Sequence, residues 1–202
     1  MHSRAAPAVD AAGCIWAWRH PQPQDITGRC IGHTDVPVDP RRAKRLARRI
    51  ARSAHQNRLP HVIWTSPLQR CADVGHWLRR WGWRHHIDAA LIEMDFGAWD
   101  GLPWSAIARA EVEAWNQQFA HYAPGGGESL TGVLTRAAAW QPGNEANRAV
   151  NQSDPVLIVA HAGWMRARRW LDQSVMATTV PLTSATLPAA PAYGRLWKLG
   201  AP

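Results

Sequence analysis

The sequence has almost no lysine. Of its 23 Lys and Arg residues only Lys44 and Lys198 are lysine, and the formal net charge is +8. There are three cysteines, Cys14, Cys30 and Cys71, and no C-x-x-C pair. An odd count without that pairing argues against a disulfide framework and against a zinc site. A reducing cytoplasm is the simplest setting for such a chain. No apolar run approaches the length needed to span a bilayer. The first 13 residues lack the long apolar core of a secretory signal and read as a short disordered leader before residues 14–202. Neither G-x-G-x-x-G nor a Walker lysine motif occurs, which disfavours dinucleotide and P-loop binding.

What is present is apolar and tryptophan-rich. At 46% apolar, the 202 residues suffice for one globular domain with a sizeable core. The 13 tryptophans are scattered without a stacking-motif spacing, so core filling explains them better than base stacking. A basic balance suits an anionic small substrate, nucleic acid or an acidic membrane surface.

Strand and helix patterns alternate along the chain. Ile15–Arg19 reads as a short strand and 27–40 as a loop punctuated by Gly and Pro. Asp39 is placed to cap a helix whose apolar positions are Ala43, Leu46, Ala47, Ile50, Ala51 and Ala54. Its other face carries Arg41, Arg42, Lys44, Arg45, Arg48, Arg49 and Arg52. A solvated surface is the commoner meaning of such a face, and a nucleic-acid grip is the rival. His61–Thr65 is the next strand, and Ser66-Pro67 reads as cap and first position of a helix running to about Trp81. Ile87–Ile92 is a further apolar run. Helical stretches follow near Trp104–Phe119 and Ser129–Trp140, joined through P-G-G-G-E-S. Gln141–Asp154 carries no clear pattern. Pro155–His161 is the strongest strand, unbroken in its apolar run as a doubly covered central strand should be. A helix through about Leu171 and a weak strand near Arg195–Leu199 complete the pattern. The alternation predicts an α/β fold, a three-layer α/β/α sandwich on a mostly parallel central sheet.

Four segments place oxyanion-binding residue types at strand ends or helix starts. These are W-R-H with Arg19 and His20, T-S-P-L-Q-R with Arg70, L-I-E-M with Glu93, and V-A-H-A-G with His161. Together they fit phosphoryl transfer. Arginine supplies planar, paired donors for peripheral oxygens. One histidine can be the nucleophile and another can stabilise charge. A carboxyl group can protonate the departing alkoxide. Asp95 and Asp100 read as loop-fixing residues bonded to backbone amides.

The same segments, with G-R-C-I-G-H-T-D-V-P, E-M-D-F-G-A-W-D-G and P-G-G-G-E-S, carry a resemblance over about Ile15–Arg168. The chain resembles the histidine phosphatase superfamily, which includes phosphoglycerate mutases, and in closer detail its alpha-ribazole phosphatases. The resemblance implies a phosphoglycerate mutase-like domain with a helical cap at roughly 94–154. It implies that His20 becomes phosphohistidine, that Arg19, Arg70 and His161 hold the phosphoryl oxygens, and that Glu93 serves the leaving group and then the water. It implies no metal and no cofactor. The chain departs from the family's first motif, where Pro21 stands for Gly, Pro23 for the hydroxyl residue and Ile26 near the Asn. Thr27 or Arg29 can compensate for the lost phosphate contacts.

The expected function is a cytoplasmic phosphomonoesterase, with alpha-ribazole 5′-phosphate of cobalamin nucleotide-loop synthesis as substrate. The rivals are a broad sugar or nucleotide phosphatase, a phosphoglycerate mutase-type phosphotransferase, and, in another class, a basic nucleic-acid-binding or non-catalytic phosphate-ester-binding protein. The expected partner is a small phosphate monoester, without nucleic acid or membrane, and a homodimer is left open.

Overall fold

Strand β1, Ile15–Arg19, alternates its side chains in a way that sorts the whole molecule. Ile15 and Ala17 point into one hydrophobic cluster, and Trp16 and Trp18 into another on the opposite face. A strand apolar on both faces needs helices on both, and the chain supplies them. The computed structural model describes residues 14–143, 154–174 and 181–200. The proposed leader, 1–13, lies outside the described residues.

Five strands form one sheet in the order β3-β2-β4-β1-β5, with β2 at Val62–Thr65, β3 at Arg84–Ile87, β4 at Val156–Ala160 and β5 at Leu196–Leu199. All neighbours are parallel except β5, which runs antiparallel to β1. The unbroken apolar run of β4 takes the central place, as its composition predicts. Helices α1 (Pro40–Gln56) and α2 (Gln69–Arg80) pack together on the Trp16/Trp18 face. Helices α4 (Leu130–Ala139) and α5 (Ala162–Ser174) cover the other face, where Trp164 is fully buried. A shorter helix, α3 (Arg109–Gln117), lies in the stretch between Glu93 and α4. The result is the three-layer α/β/α arrangement. No described helix is long and apolar enough to cross a membrane.

Local chemistry explains the helix starts. The Asp39 side chain accepts from the Arg41 amide at 2.7 Å, and Pro40 opens α1. Ser129 caps α4 by accepting from Gly132 at 3.2 Å. Three expectations shift. Helix α2 begins at Gln69 instead of Pro67, with Leu68 rather than Ser66 at its N-cap; the Ser66 hydroxyl accepts from Leu68 N at 3.3 Å and also meets His161. The apolar run Ile87–Ile92 contributes only its first residue to a strand, the preceding R-H-H-I, and a 3-10 turn occupies Ala89–Leu91. A strand with exposed Arg84 and Ile87 at the sheet edge leaves little apolar pattern to read. The stretch Trp104–Phe119 divides into a 3-10 turn at Trp104–Ala106 and α3. Helix α4 falls within the stretch read as cap, yet packs on α5 in the main core. Trp99 is buried against Trp115 and Tyr122, so packing accounts for it.

Candidate active site

The parallel strands bring their C-terminal ends to one edge. β1 pairs Arg19 with Ala160 of β4, and β2 pairs Thr65 with Val159. The next residues, His20, His161 and Ser66, are therefore neighbours, and the His20 and His161 ring centroids lie 5.0 Å apart. All three are buried. Such an edge, where the chain leaves a parallel sheet, is where open α/β folds bind ligands.

His20 has a defined tautomer. Its Nδ1 lies 2.7 Å from the Pro21 carbonyl, which can only accept, so Nδ1 carries the proton. Nε2 keeps its lone pair. Burial pushes the imidazole well below its ordinary value of 6.5, and Arg70 and Arg19 add to this against the Pro21 hydrogen bond. A neutral imidazole with a free Nε2 is the form a nucleophile requires. The Pro21 substitution costs an amide N–H, but the group used here is a carbonyl, which proline retains.

Arg70, on the first turn of α2, is 1% exposed. Its Nε donates to His161 Nδ1 at 3.2 Å, Nη1 to Thr34 O at 2.8 Å and Nη2 to Gly32 O at 2.5 Å. Since guanidinium has five N–H donors, about two remain for a ligand. His161 Nδ1 accepts from Arg70, so its Nε2 donates to Ser66 Oγ at 2.8 Å. Both ring nitrogens are thus committed to protein partners. Burial, with Arg70 next in weight, holds this imidazole well below 6.5 as well.

Arg19 is held from the far end of the chain. Its Nη1 donates to Pro191 O at 2.8 Å, and its Cζ lies 3.8 Å from the Tyr193 ring centroid. The Tyr193 ring also stands 5.5 Å from that of His20. The Arg19 Nε is buried with no hydrogen-bond partner among the described residues. A buried orphan donor beside a buried imidazole is a ready seat for an anionic oxygen.

Glu93 is tied to the turn after β4. One carboxylate oxygen accepts from Met94 N at 3.0 Å and the other from Gly163 N at 3.2 Å. The fit is close, since a Cβ on Gly163 would stand 2.2 Å from Glu93 Oε1. Behind it, Arg136 donates to the Ala90 and Ile92 carbonyls at 2.9 and 2.7 Å and pairs with Glu128 at 2.8 Å. Glu128 is thereby a partner of Arg136, while capping falls to Ser129. His33 Nε2 donates to the Glu93 carbonyl at 2.8 Å.

Asp100 fixes the loop that receives Arg70. It accepts from the amides of Gly32, His33 and Thr34 and from the Thr34 hydroxyl, the last at 2.6 Å. These bonds hold its carboxyl below the usual range against the opposing effect of burial. Asp95 likewise accepts from Gly97 N at 2.8 Å.

The structure brings Arg19, His20, Arg70 and His161 together and joins Glu93 to the turn that follows His161. Thr27 and Arg29 are exposed, and Arg29 Nη1 donates to Gly101 O at 2.8 Å. Sequence reasoning missed Ser66, Tyr193 and Arg136. The T-S-P segment singled out Ser66 only as a cap. Nothing local marks Tyr193, which reaches the site because β5 returns beside β1. Cys71, whose Sγ lies 3.4 Å from His161 Nε2, is fully buried, and burial pushes its thiol up.

A family model described as the histidine phosphatase superfamily (branch 1) matches residues 15–184. No curated protein matches the sequence. Similar solved structures include a mycobacterial glucosyl-3-phosphoglycerate phosphatase, 24% identical, covering 93% of this chain and 90% of that one at a TM-score of 0.67. Another is YhfR of Bacillus stearothermophilus, 22% identical over 92% and 89% of the two chains at 0.67. The alpha-ribazole phosphatase of Shigella flexneri is 18% identical over 92% and 89% at 0.69. At these identities the likeness establishes the fold.

Proposed function

The chain belongs to the histidine phosphatase superfamily, and from that premise we propose that it is a metal-independent phosphomonoesterase working through phosphohistidine on His20. The observation that carries this reading is the His20 tautomer. Its Nδ1–H is held by Pro21, and Nε2 is left as the nucleophile between two arginines.

In the first step Nε2 forms the N–P bond as the ester P–O bond breaks, and Glu93 gives its proton to the departing oxygen. Water then attacks phosphorus, Glu93 takes its proton, and the N–P bond breaks to release phosphate. Arg19, with its orphan Nε, and Arg70, with its unused Nη donors, stabilise the equatorial oxygens throughout. His161 acts through its grip on Arg70. Direct donation from its Nε2 to a phosphoryl oxygen would require release of Ser66.

The substrate we favour is alpha-ribazole 5′-phosphate, hydrolysed in the cytoplasm. It is supported by the motif resemblance of the sequence and by the likeness to a phosphatase of that name. The stretch between Glu93 and α4 is our candidate for the cap that sets specificity. A sugar-linked phosphate is the second reading, favoured by the likeness to the mycobacterial glucosyl-3-phosphoglycerate phosphatase.

The test is rapid quenching with p-nitrophenyl phosphate in the presence of EDTA. An acid-labile phosphoenzyme should form in the native protein and be absent from His20→Ala. Turnover that needs an added divalent metal, or a phosphoenzyme that survives in His20→Ala, would overturn the reading. Comparing kcat/KM for alpha-ribazole 5′-phosphate and glucosyl-3-phosphoglycerate then separates the two substrates.

A further inference from the structure

Five arginines that the proposed reaction does not use, Arg42, Arg45, Arg48, Arg49 and Arg52, line one groove of about 500 Å³ along α1. Its opposite wall includes Pro21, Gln22, Tyr193 and Gly194. Among the described residues no carboxylate lines it. Among the described residues none of the five forms an ion pair. Arg42 reaches the Gln22 carbonyl at 3.4 Å and Arg49 the Gly194 carbonyl at 3.3 Å, which are long bonds. Arg45, Arg48 and Arg52 show no hydrogen bond among the described residues. Like charges three and four residues apart on a helix repel, so the arrangement is unfavourable when empty. From Arg42 to Arg52 the row runs about 15 Å at roughly 1.5 Å per residue.

We propose that this groove is a second anion site, built for a compact oligophosphate and distinct from the catalytic cluster. Several guanidinium forks in a row suit linked phosphates better than a single one. The volume falls within the range of about 300–1,000 Å³ typical of small-molecule sites. The loop at Pro21–Gln22 and the turn at Tyr193–Gly194 wall one side, which makes a short trough. Tyr193 and Pro21 form the partition from the catalytic cluster. The tyrosine ring lies over Arg19 and beside His20, and the Pro21 carbonyl holds His20 Nδ1. An occupant therefore touches the two residues that position the proposed nucleophile. The assignment stands independently of the substrate reading.

The probe is inorganic tripolyphosphate, titrated calorimetrically into His20→Ala protein so that nothing is turned over. Saturating orthophosphate occupies the catalytic arginines during the titration. One equivalent of tripolyphosphate should bind, with at least about tenfold weaker affinity when Arg45→Gln and Arg52→Gln are added, since charge-assisted bonds to both are lost. In the otherwise native protein the same pair of substitutions should leave p-nitrophenyl phosphate turnover unchanged. No binding, binding displaced by orthophosphate, or binding indifferent to the pair would overturn the proposal. So would a single-stranded oligonucleotide that binds more tightly than tripolyphosphate and is lost with the same pair, since that assigns the face to nucleic acid.

Discussion

Arg70 and Arg45 are the same residue type on neighbouring helices, and they live in opposite conditions. Arg70 is 1% exposed and spends three donors on Gly32, Thr34 and His161. Arg45 is exposed, and no hydrogen bond or ion pair holds it among the described residues. Burying a guanidinium is costly unless its donors are satisfied, so the surroundings of Arg70 are built around it, down to the Asp100 clamp on its receiving loop. The row on α1 avoids that cost by staying in water. The proposed catalytic edge therefore has side chains locked in one geometry, while the groove carries charged side chains held by few hydrogen bonds among the described residues.

The largest break in this comparison is expected at the edge. His20→Ala should lower turnover on the order of 10⁴-fold or more, measured with p-nitrophenyl phosphate, because the nucleophile itself is gone. Arg70→Ala should cost about 10²–10³-fold in kcat by loss of charge stabilisation. It should also lower Tm, since the Gly32 and Thr34 carbonyls lose their donors. Equal effects from Arg70→Ala and Arg45→Ala would erase the distinction between the two regions.

Gly163→Ala tests how tightly the edge is packed. Its Cβ would meet Glu93 Oε1 at 2.2 Å, so either the carboxylate or the turn must move. A destabilisation of about 1–3 kcal/mol is expected by denaturant unfolding, with kcat falling more than KM rises. Ser66→Ala is milder. It frees His161 Nε2, and a fall in kcat of about tenfold or less, of the order of one lost hydrogen bond, is expected. An increase in kcat would show that Ser66 restrains a direct contact between His161 and phosphate. At the other region, Arg45→Gln with Arg48→Gln should leave stability within about 0.5 kcal/mol or raise it slightly.

The pH response sharpens the contrast further. Burial lowers His20 and His161 well below 6.5, and lowers His85 to about 4. Between each folded value and 6.5 the unfolded chain binds more protons than the native one, so stability rises with pH in that window. Tm should be flat from about pH 7 to 8 and fall as pH drops below about 6.5, as expected for histidines kept neutral by folding. The acid limb of kcat/KM should likewise lie below the ordinary imidazole range. A Tm independent of pH between 4 and 6.5 would contradict the buried neutral histidines.

Much of this was legible in residue order. The unbroken apolar run of 156–160 announced the central strand, and the one-sided pattern of 43–54 announced α1, because burial on one or two faces leaves a period in the sequence. Arg19, His20, Arg70, Glu93 and His161 stood out because strand ends and helix starts are marked by local chemistry. The edge strand β3 was obscured because R-H-H-I is half exposed and carries no such period. The tautomer of His20, the commitment of both His161 nitrogens, the arrival of Tyr193 across Arg19 and the tie from Glu93 to Gly163 were beyond any one-dimensional reading. Each depends on groups tens of residues apart meeting at bonding distance, or on which ring nitrogen donates to a carbonyl. The sequence by itself determined which chemistry the chain carries and on which strands. Only the tertiary structure decided which donors are spent among the described residues, and that the arginines of α1 line a groove.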